Sequence, residues 1–156
     1  MLTFLLAANN APVIGGFGIA LCVLMCGVGS AFGLRMTGVA ASAVLVEKPK
    51  KSGSVMMLSV LPATQGLYGL VLGLINYTKV GALTGTQGWQ MFVACLPLAI
   101  VGMLSAILQA STSVGGLKAM AKSELSAGQL MLYPVMVETY AILALVISIM
   151  MTGNVA

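Results

Sequence analysis

Glu138 is the residue of this sequence best placed to do chemistry. It stands in the stretch from Leu130 to Met150, where no other side chain carries a formal charge. An ionised carboxylate at mid-bilayer depth costs roughly 2.5–3.5 kcal/mol even on translocon-insertion scales, so such a residue is a functional-site candidate whose partners must be sought. Polar side chains that could serve are Thr64, Gln65 and Tyr68 in one apolar segment and Gln109 in another. Thr64 and Tyr68 are four apart and stack on one helical face, with Gln65 beside them and Leu61 three residues earlier. Each polar group in hydrocarbon is costly unless it finds a partner.

These groups share a depth. In a helical hairpin, residues equidistant from the turn lie at one height, and the midpoint of Gln109 and Glu138, 123.5, falls within the break Lys122–Ser126. Thr64 and Gln65 lie about 16 residues beyond a first turn near residues 48 and 49. At about 1.5 Å per residue, all four groups sit about 22 Å from the loops. A carboxylate, two amide oxygens and a hydroxyl offer oxygen ligands for a hard cation with one negative charge among them. One charge suits Na⁺, whereas Ca²⁺ calls for more carboxylates. Two other readings stay open from the residues alone. The acid can hold a proton, since burial favours the neutral form of a carboxyl. Or the network is interhelical glue, at about 0.6 kcal/mol per bond.

The elements that must position these groups are membrane helices. The chain has 156 residues, 60% hydrophobic and 6% charged, with a mean hydropathy of +1.09. That balance excludes an ordinary soluble domain. The net charge of +4 reads as topology, because no basic stripe points to nucleic acid. Histidine is absent, which removes the commonest neutral-pH base and metal ligand. Cys22, Cys26 and Cys95 stand in apolar stretches and read as small buried thiols. Residues 1–10 lack the basic n-region of a signal peptide and read as a lead-in to the first helix.

Four apolar segments, near 11–45, 54–77, 88–120 and 127–151, each reach the approximately 20 residues that span hydrocarbon. Breaks fall at Glu47–Gly53, Lys79–Gln87 and Lys122–Ser126. Arg35, Lys48, Lys50, Lys51, Lys118 and Lys122 lie in or lead into the first and third breaks, and Lys79 alone lies at the second. The positive-inside rule places the loops at Lys48–Lys51 and Lys122–Ser126 in the cytoplasm and both termini outside. Pro62 and Pro134 interrupt their segments and are expected to free the carbonyls of Leu58 and Leu130.

The chain also repeats itself without gaps at an offset of 75. Phe17/Phe92, Gly27/Gly102, Ser30/Ser105, Thr64/Thr139 and Leu70/Leu145 are among about a dozen identities over some sixty pairs. Residues 1–78 and 79–156 therefore read as two copies of a helical hairpin that cross the membrane in the same sense. The fold class is all-α integral membrane, with four transmembrane helices. At this offset Ala63 stands opposite Glu138 and Leu34 opposite Gln109, so one acid serves two hairpins. The small residues of the first and third helices allow close helix approach. A phosphate-loop reading of Gly27–Gly33 fails, because the spacing is wrong and no strand precedes it.

Leu61-Pro-Ala-Thr-Gln-Gly-Leu-Tyr-Gly69, Gln109 and Val137-Glu-Thr-Tyr-Ala-Ile-Leu143 resemble the rotor-ring proteolipid (16-kDa, K-subunit type) of bacterial V-type sodium-translocating ATPases, over essentially the whole chain. The resemblance implies a ring of identical subunits in the membrane, with the first and third helices inside. It implies Na⁺ held by the Glu138 carboxylate, the Thr64 hydroxyl, the Gln65 and Gln109 side-chain carbonyls and the Leu61 backbone carbonyl, with Tyr68 bonding Glu138. It further implies a stator membrane subunit that supplies an arginine, cytoplasmic rotor-stalk subunits, and ATP hydrolysis in another chain. A rotor running on H⁺, a four-helix antiporter and a purely structural membrane protein are the alternatives.

Overall fold

A computed structural model describes residues 10–155 of the chain. Of the lead-in expected over residues 1–10, all but Asn10 lies outside the described residues. Among the described residues five α-helices follow in order: α1 (Ala11–Glu47), α2 (Ser52–Val60), α3 (Thr64–Tyr77), α4 (Gln87–Lys122) and α5 (Ala127–Gly153). Short 3-10 turns at Pro49–Lys51 and Leu61–Ala63 lead into α2 and join it to α3, so Pro49–Tyr77 forms one continuous rod. Four helices are thus long and apolar enough to cross a membrane: Ala11–Glu47, Pro49–Tyr77, Gln87–Lys122 and Leu132–Gly153. The chain is an all-α, multi-pass membrane protein.

The first break is far shorter than the sequence led one to expect. Instead of an open loop over Glu47–Gly53, only Lys48 lies outside a helical turn. Its N–H closes on the Val44 carbonyl at 2.8 Å, ending α1. Pro49, with preset φ and no N–H to satisfy, then opens the next turn at once. Arg35 consequently lies well inside α1, 12 residues before Glu47, and not at a loop. The second break is a turn held by Gly85 at φ 53°. The third ends in a capping box, where Ser126 and Gln129 satisfy the first amides of α5.

α1 and α4 make the most extensive contact, α5 lies along α4, and α3 lies along α1. Glycine makes the α1–α4 seam possible. A Cβ on Gly18 would lie 2.6 Å from the Phe92 Cα, and one on Gly29 would lie 2.7 Å from the Met103 Cα. Without a hydrophobic drive inside lipid, such backbone approach supplies the dispersion contacts that hold helices together. Cys22, Cys26 and Cys95 are buried and free, and the Cys26 thiol donates to the Leu98 carbonyl at 3.4 Å. Leu67, Leu74, Met136 and Leu143 remain exposed on the outer faces, as a hydrocarbon or protein neighbour requires.

Polar clamps tie the two ends. Lys48 and Lys51 grip Glu124 at 2.8 and 3.0 Å, and both also donate to the Ser123 carbonyl. At the opposite end, Lys79 donates to the Thr152 carbonyl at 3.0 Å, where a cation complements the C-terminus of α5. Hydrogen bonds from Lys48 and Lys51, with their charge, pull the Glu124 carboxyl from its ordinary 4.5 to about 2. Because the folded value lies below the unfolded one, this clamp contributes above about pH 4.5 and is lost as pH falls toward 2. The expected result is a Glu124 carboxyl-carbon NMR titration with a midpoint near 2 at low salt. Added salt should move that midpoint upward, since the pair is exposed. A midpoint at the ordinary value refutes the clamp.

Candidate functional site

The site is built on the break between α2 and α3. Pro62 enforces a 3-10 turn there, in which the Thr64 N–H reaches the Leu61 carbonyl. The Thr64 hydroxyl points the same way, 3.0 Å from that carbonyl and 3.3 Å from Gln65 Oε1. Three neutral oxygens are thereby bunched at one end of α3. The carbonyl taken up by a side chain just before the turn belongs to Ser59, which accepts from Thr37 Oγ1 at 2.7 Å. On α5, Pro134 O likewise accepts a side-chain bond, from Gln109.

From α3 a chain of hydrogen bonds runs across α4 to Glu138. Gln65 is fully buried and its Nε2 donates to Gln109 Oε1 at 2.7 Å. Gln109, also fully buried, donates from Nε2 to Glu138 Oε2 and to Pro134 O, both at 3.2 Å. The other carboxylate oxygen, Oε1, accepts from Tyr68 Oη at 2.5 Å. The structure thus brings Gln65, Tyr68, Gln109 and Glu138 into one bonded network, with Thr64 and the Leu61 carbonyl attached through Gln65. Glycine keeps this junction tight: a Cβ on Gly33 of α1 would lie 2.7 Å from the Pro62 side chain.

Sequence reasoning passed over Ser105. Its hydroxyl donates to the Val137 carbonyl at 3.1 Å and lies 3.5 Å from Gln65 Nε2. It therefore ties α4 to α5 one residue from the acid. Its signal was present: Ser105 is four residues before Gln109 and shares its helical face. Ser30, its partner in the repeat, accepts from the Gly66 N–H at 2.8 Å and seats α3 on α1.

Glu138 lies within the last of the four apolar spans, Leu132–Gly153. The charge balance is the notable property. Every donor on Glu138 is neutral, and the ion pairs among the described residues belong to Glu124. An ionised Glu138 therefore has oxygen-rich company but no resident counter-charge, and a mobile cation is what such a site can accept.

The chain is similar to known proteins over most of its length. The ATP synthase C-subunit family matches the chain twice, over residues 17–76 and 92–151, which are offset by the same 75 residues as the repeat. The chain is 36% identical over 155 residues to the V-type sodium ATPase subunit K of Enterococcus hirae, with 99% of each chain covered. It is 34% identical over 143 residues to the A-type ATP synthase subunit K of Methanocaldococcus jannaschii, covering 92% of this chain and 63% of that one. With two matched segments that take in most of its length, the chain belongs to the ATP synthase C-subunit family.

Proposed function

We propose that this chain is the membrane rotor-ring subunit of a V-type ATPase and carries one Na⁺ per copy across the membrane. The observation that carries the reading is the single buried carboxylate held by two neutral donors, Tyr68 Oη and Gln109 Nε2, with no basic side chain paired to it among the described residues. The relative from Enterococcus hirae, a sodium ATPase subunit, supports it over nearly the full length.

In this reading Na⁺ is the cargo. Glu138 supplies the charge, and Leu61 O, Thr64 Oγ1, Gln65 Oε1 and Gln109 Oε1 supply neutral ligands. Gln109 Oε1 has a second lone pair beyond the one that Gln65 engages. Tyr68 and the Gln109 amide nitrogen hold the carboxylate in place before the ion arrives, so little ordering is left to the moment of binding. The loaded site is neutral overall and can pass lipid without the cost of a bare charge. Several copies form a ring, residues 1–78 and 79–156 being its two hairpin units, and Glu138 faces the outside of that ring. A stator membrane subunit supplies an arginine that competes for Glu138 and releases the ion. Cytoplasmic stalk subunits meet the Lys48–Lys51 and Lys122–Ser126 loops, both termini lie outside, and ATP is hydrolysed in another subunit. This chain makes and breaks no covalent bond.

The test is carbodiimide labelling of Glu138 in the isolated ring at fixed pH, with and without NaCl. Sodium at saturating concentration is expected to slow labelling at least about tenfold, because an ion-paired carboxylate neither protonates nor reacts, and potassium at equal ionic strength is not. Labelling indifferent to sodium but falling as pH rises would hand the site to H⁺.

A further inference from the structure

Arg35 is an arginine with no hydrogen-bond or ion-pair partner among the described residues of its own subunit. It is exposed on α1, two residues from Gly33, whose missing side chain lets α1 rest on Pro62 close to the level of the ion site. Among the described residues no acid pairs with it, since the two ion pairs there join Lys48 and Lys51 to Glu124. A guanidinium within a span is expensive unless it finds hydrogen-bond acceptors, and the described residues of its own subunit supply none.

The duplication says where to look. In the first hairpin, Gly33, Thr37, Ala41, Leu58, Pro62 and Gln65 form a groove between α1 and the α2–α3 rod, and all six are buried. What fills that groove is α4, through Ala106, Gln109, Ala110, Ser113 and Leu117, also buried. Seventy-five residues later the same groove recurs between α4 and α5 as Leu108, Thr112, Gly116, Tyr133, Val137 and Tyr140. There it is open, with a volume of about 1180 Å³. The segment of α1 equivalent to the filling face of α4 is Ala31, Leu34, Arg35, Gly38 and Ser42. All five are exposed, and a Cβ on Gly38 would meet nothing within 4 Å. An open groove and an unused helix face that match by internal symmetry make a head-to-tail contact, the kind that generates rings.

We propose that α1 of one copy fills the α4–α5 groove of the next, with Arg35 seated in that neighbour's groove at the place Ala110 takes within a subunit. The proposal rests on the ring reading above and adds to it a specific site formed by two copies. The groove is lined by chemistry that suits a guanidinium. Ser111, Thr112 and Thr139 bring hydroxyls to it, and the Thr112 and Thr139 hydroxyls already donate to their own helix at 2.9 and 2.7 Å, which leaves their lone pairs to accept. The Tyr133 and Tyr140 rings, 62% and 67% exposed in the single subunit, offer faces for a cation–π contact. The second hairpin thereby answers an asymmetry of the first. Where duplication would have placed another acid, Ala63 stands. The interface between copies carries a fixed cation instead, which sets the register of one subunit on the next.

The test is a cysteine pair, Arg35→Cys with Leu108→Cys, in the full complex. The equivalent pair inside the subunit, Ala110 with an ideal Cβ on Gly33, is 3.3 Å apart, close to the Cβ separation of about 3.5–4.5 Å that a disulfide bridges. Oxidation is expected to give a ladder of covalent multimers on a denaturing gel, and neither single variant should. Monomers alone after oxidation, from rings that native mass measurement shows to be intact, would overturn the placement of Arg35 and leave the ring reading standing. Wild-type complex that contains no multi-copy ring would overturn both. A second measurement guards against misassembly of the double variant: Arg35→Leu rings should release about tenfold more free subunit in detergent than wild type, with Arg35→Lys between them. Equal release from Arg35→Leu and wild type would also overturn the placement.

Discussion

Glu138→Gln is expected to leave the helical fold intact and to abolish sodium translocation. Glutamine has nearly the volume of glutamate, and its carbonyl can still accept from Tyr68, which donates to Glu138 at 2.5 Å. What is lost is the charge. In the variant, Na⁺ would enter a site of neutral oxygens with nothing to balance it. A unit charge at 4 Å in an effective dielectric of 20 contributes about 4 kcal/mol, so affinity should fall about a thousandfold. The measurement is ²²Na⁺ uptake by vesicles that contain the intact, ATP-fed complex, alongside native mass measurement of the ring. If the buried network were only interhelical glue, glutamine would serve it nearly as well, and uptake would persist. Uptake above about a tenth of wild type, with a normal ring, sinks the role given to Glu138.

How much of this was legible beforehand differs by kind of feature. Helix lengths were, because long uncharged runs in a chain with few charges leave only breaks such as Lys122–Ser126 for turns, and α5 begins at Ala127 as expected. The duplication was legible too, and the two family matches fall at its offset. The grouping of Gln109 with Glu138 followed from counting along a hairpin, and the 3.2 Å bond between them lies where the count put the two residues. Features set by packing between helices were not legible. Ser105 looked like one small residue among many until α5 was laid against it. The Lys48–Lys51 grip on Glu124 depends on two turns that meet in space, 76 residues apart in sequence for the closer pair. Arg35 was counted with the loop lysines for topology although it falls within the first apolar segment, and the unbroken course of α1 to Glu47 keeps it 12 residues from the turn.

Gly29→Ala is expected to weaken sodium binding although Gly29 supplies no group to the site. An added Cβ would sit 2.7 Å from both the Met103 Cα and the Met103 carbonyl oxygen, which are backbone and cannot rotate away. α4 must therefore shift from α1, and overpacking of this kind costs about 1–3 kcal/mol. The same rigid helix carries Gln109 six residues further on, about 9 Å along the axis. Its 2.7 Å bond from Gln65 has little slack. Displacement at the seam thus reaches the acid through Gln109, the residue that joins α3 to α5. Gly53→Ala is the matched control: nothing lies within 4 Å of its added Cβ, and alanine favours a helix over glycine by about 1 kcal/mol. Thermal melting of the detergent-solubilised ring should fall for Gly29→Ala and hold or rise for Gly53→Ala. Sodium protection of Glu138 against carbodiimide should require several-fold more NaCl only in the former. A Gly29→Ala ring that melts and protects like wild type would mean that α1 and α4 are not held at backbone contact, and that the depth of the ion site is set by something other than this seam.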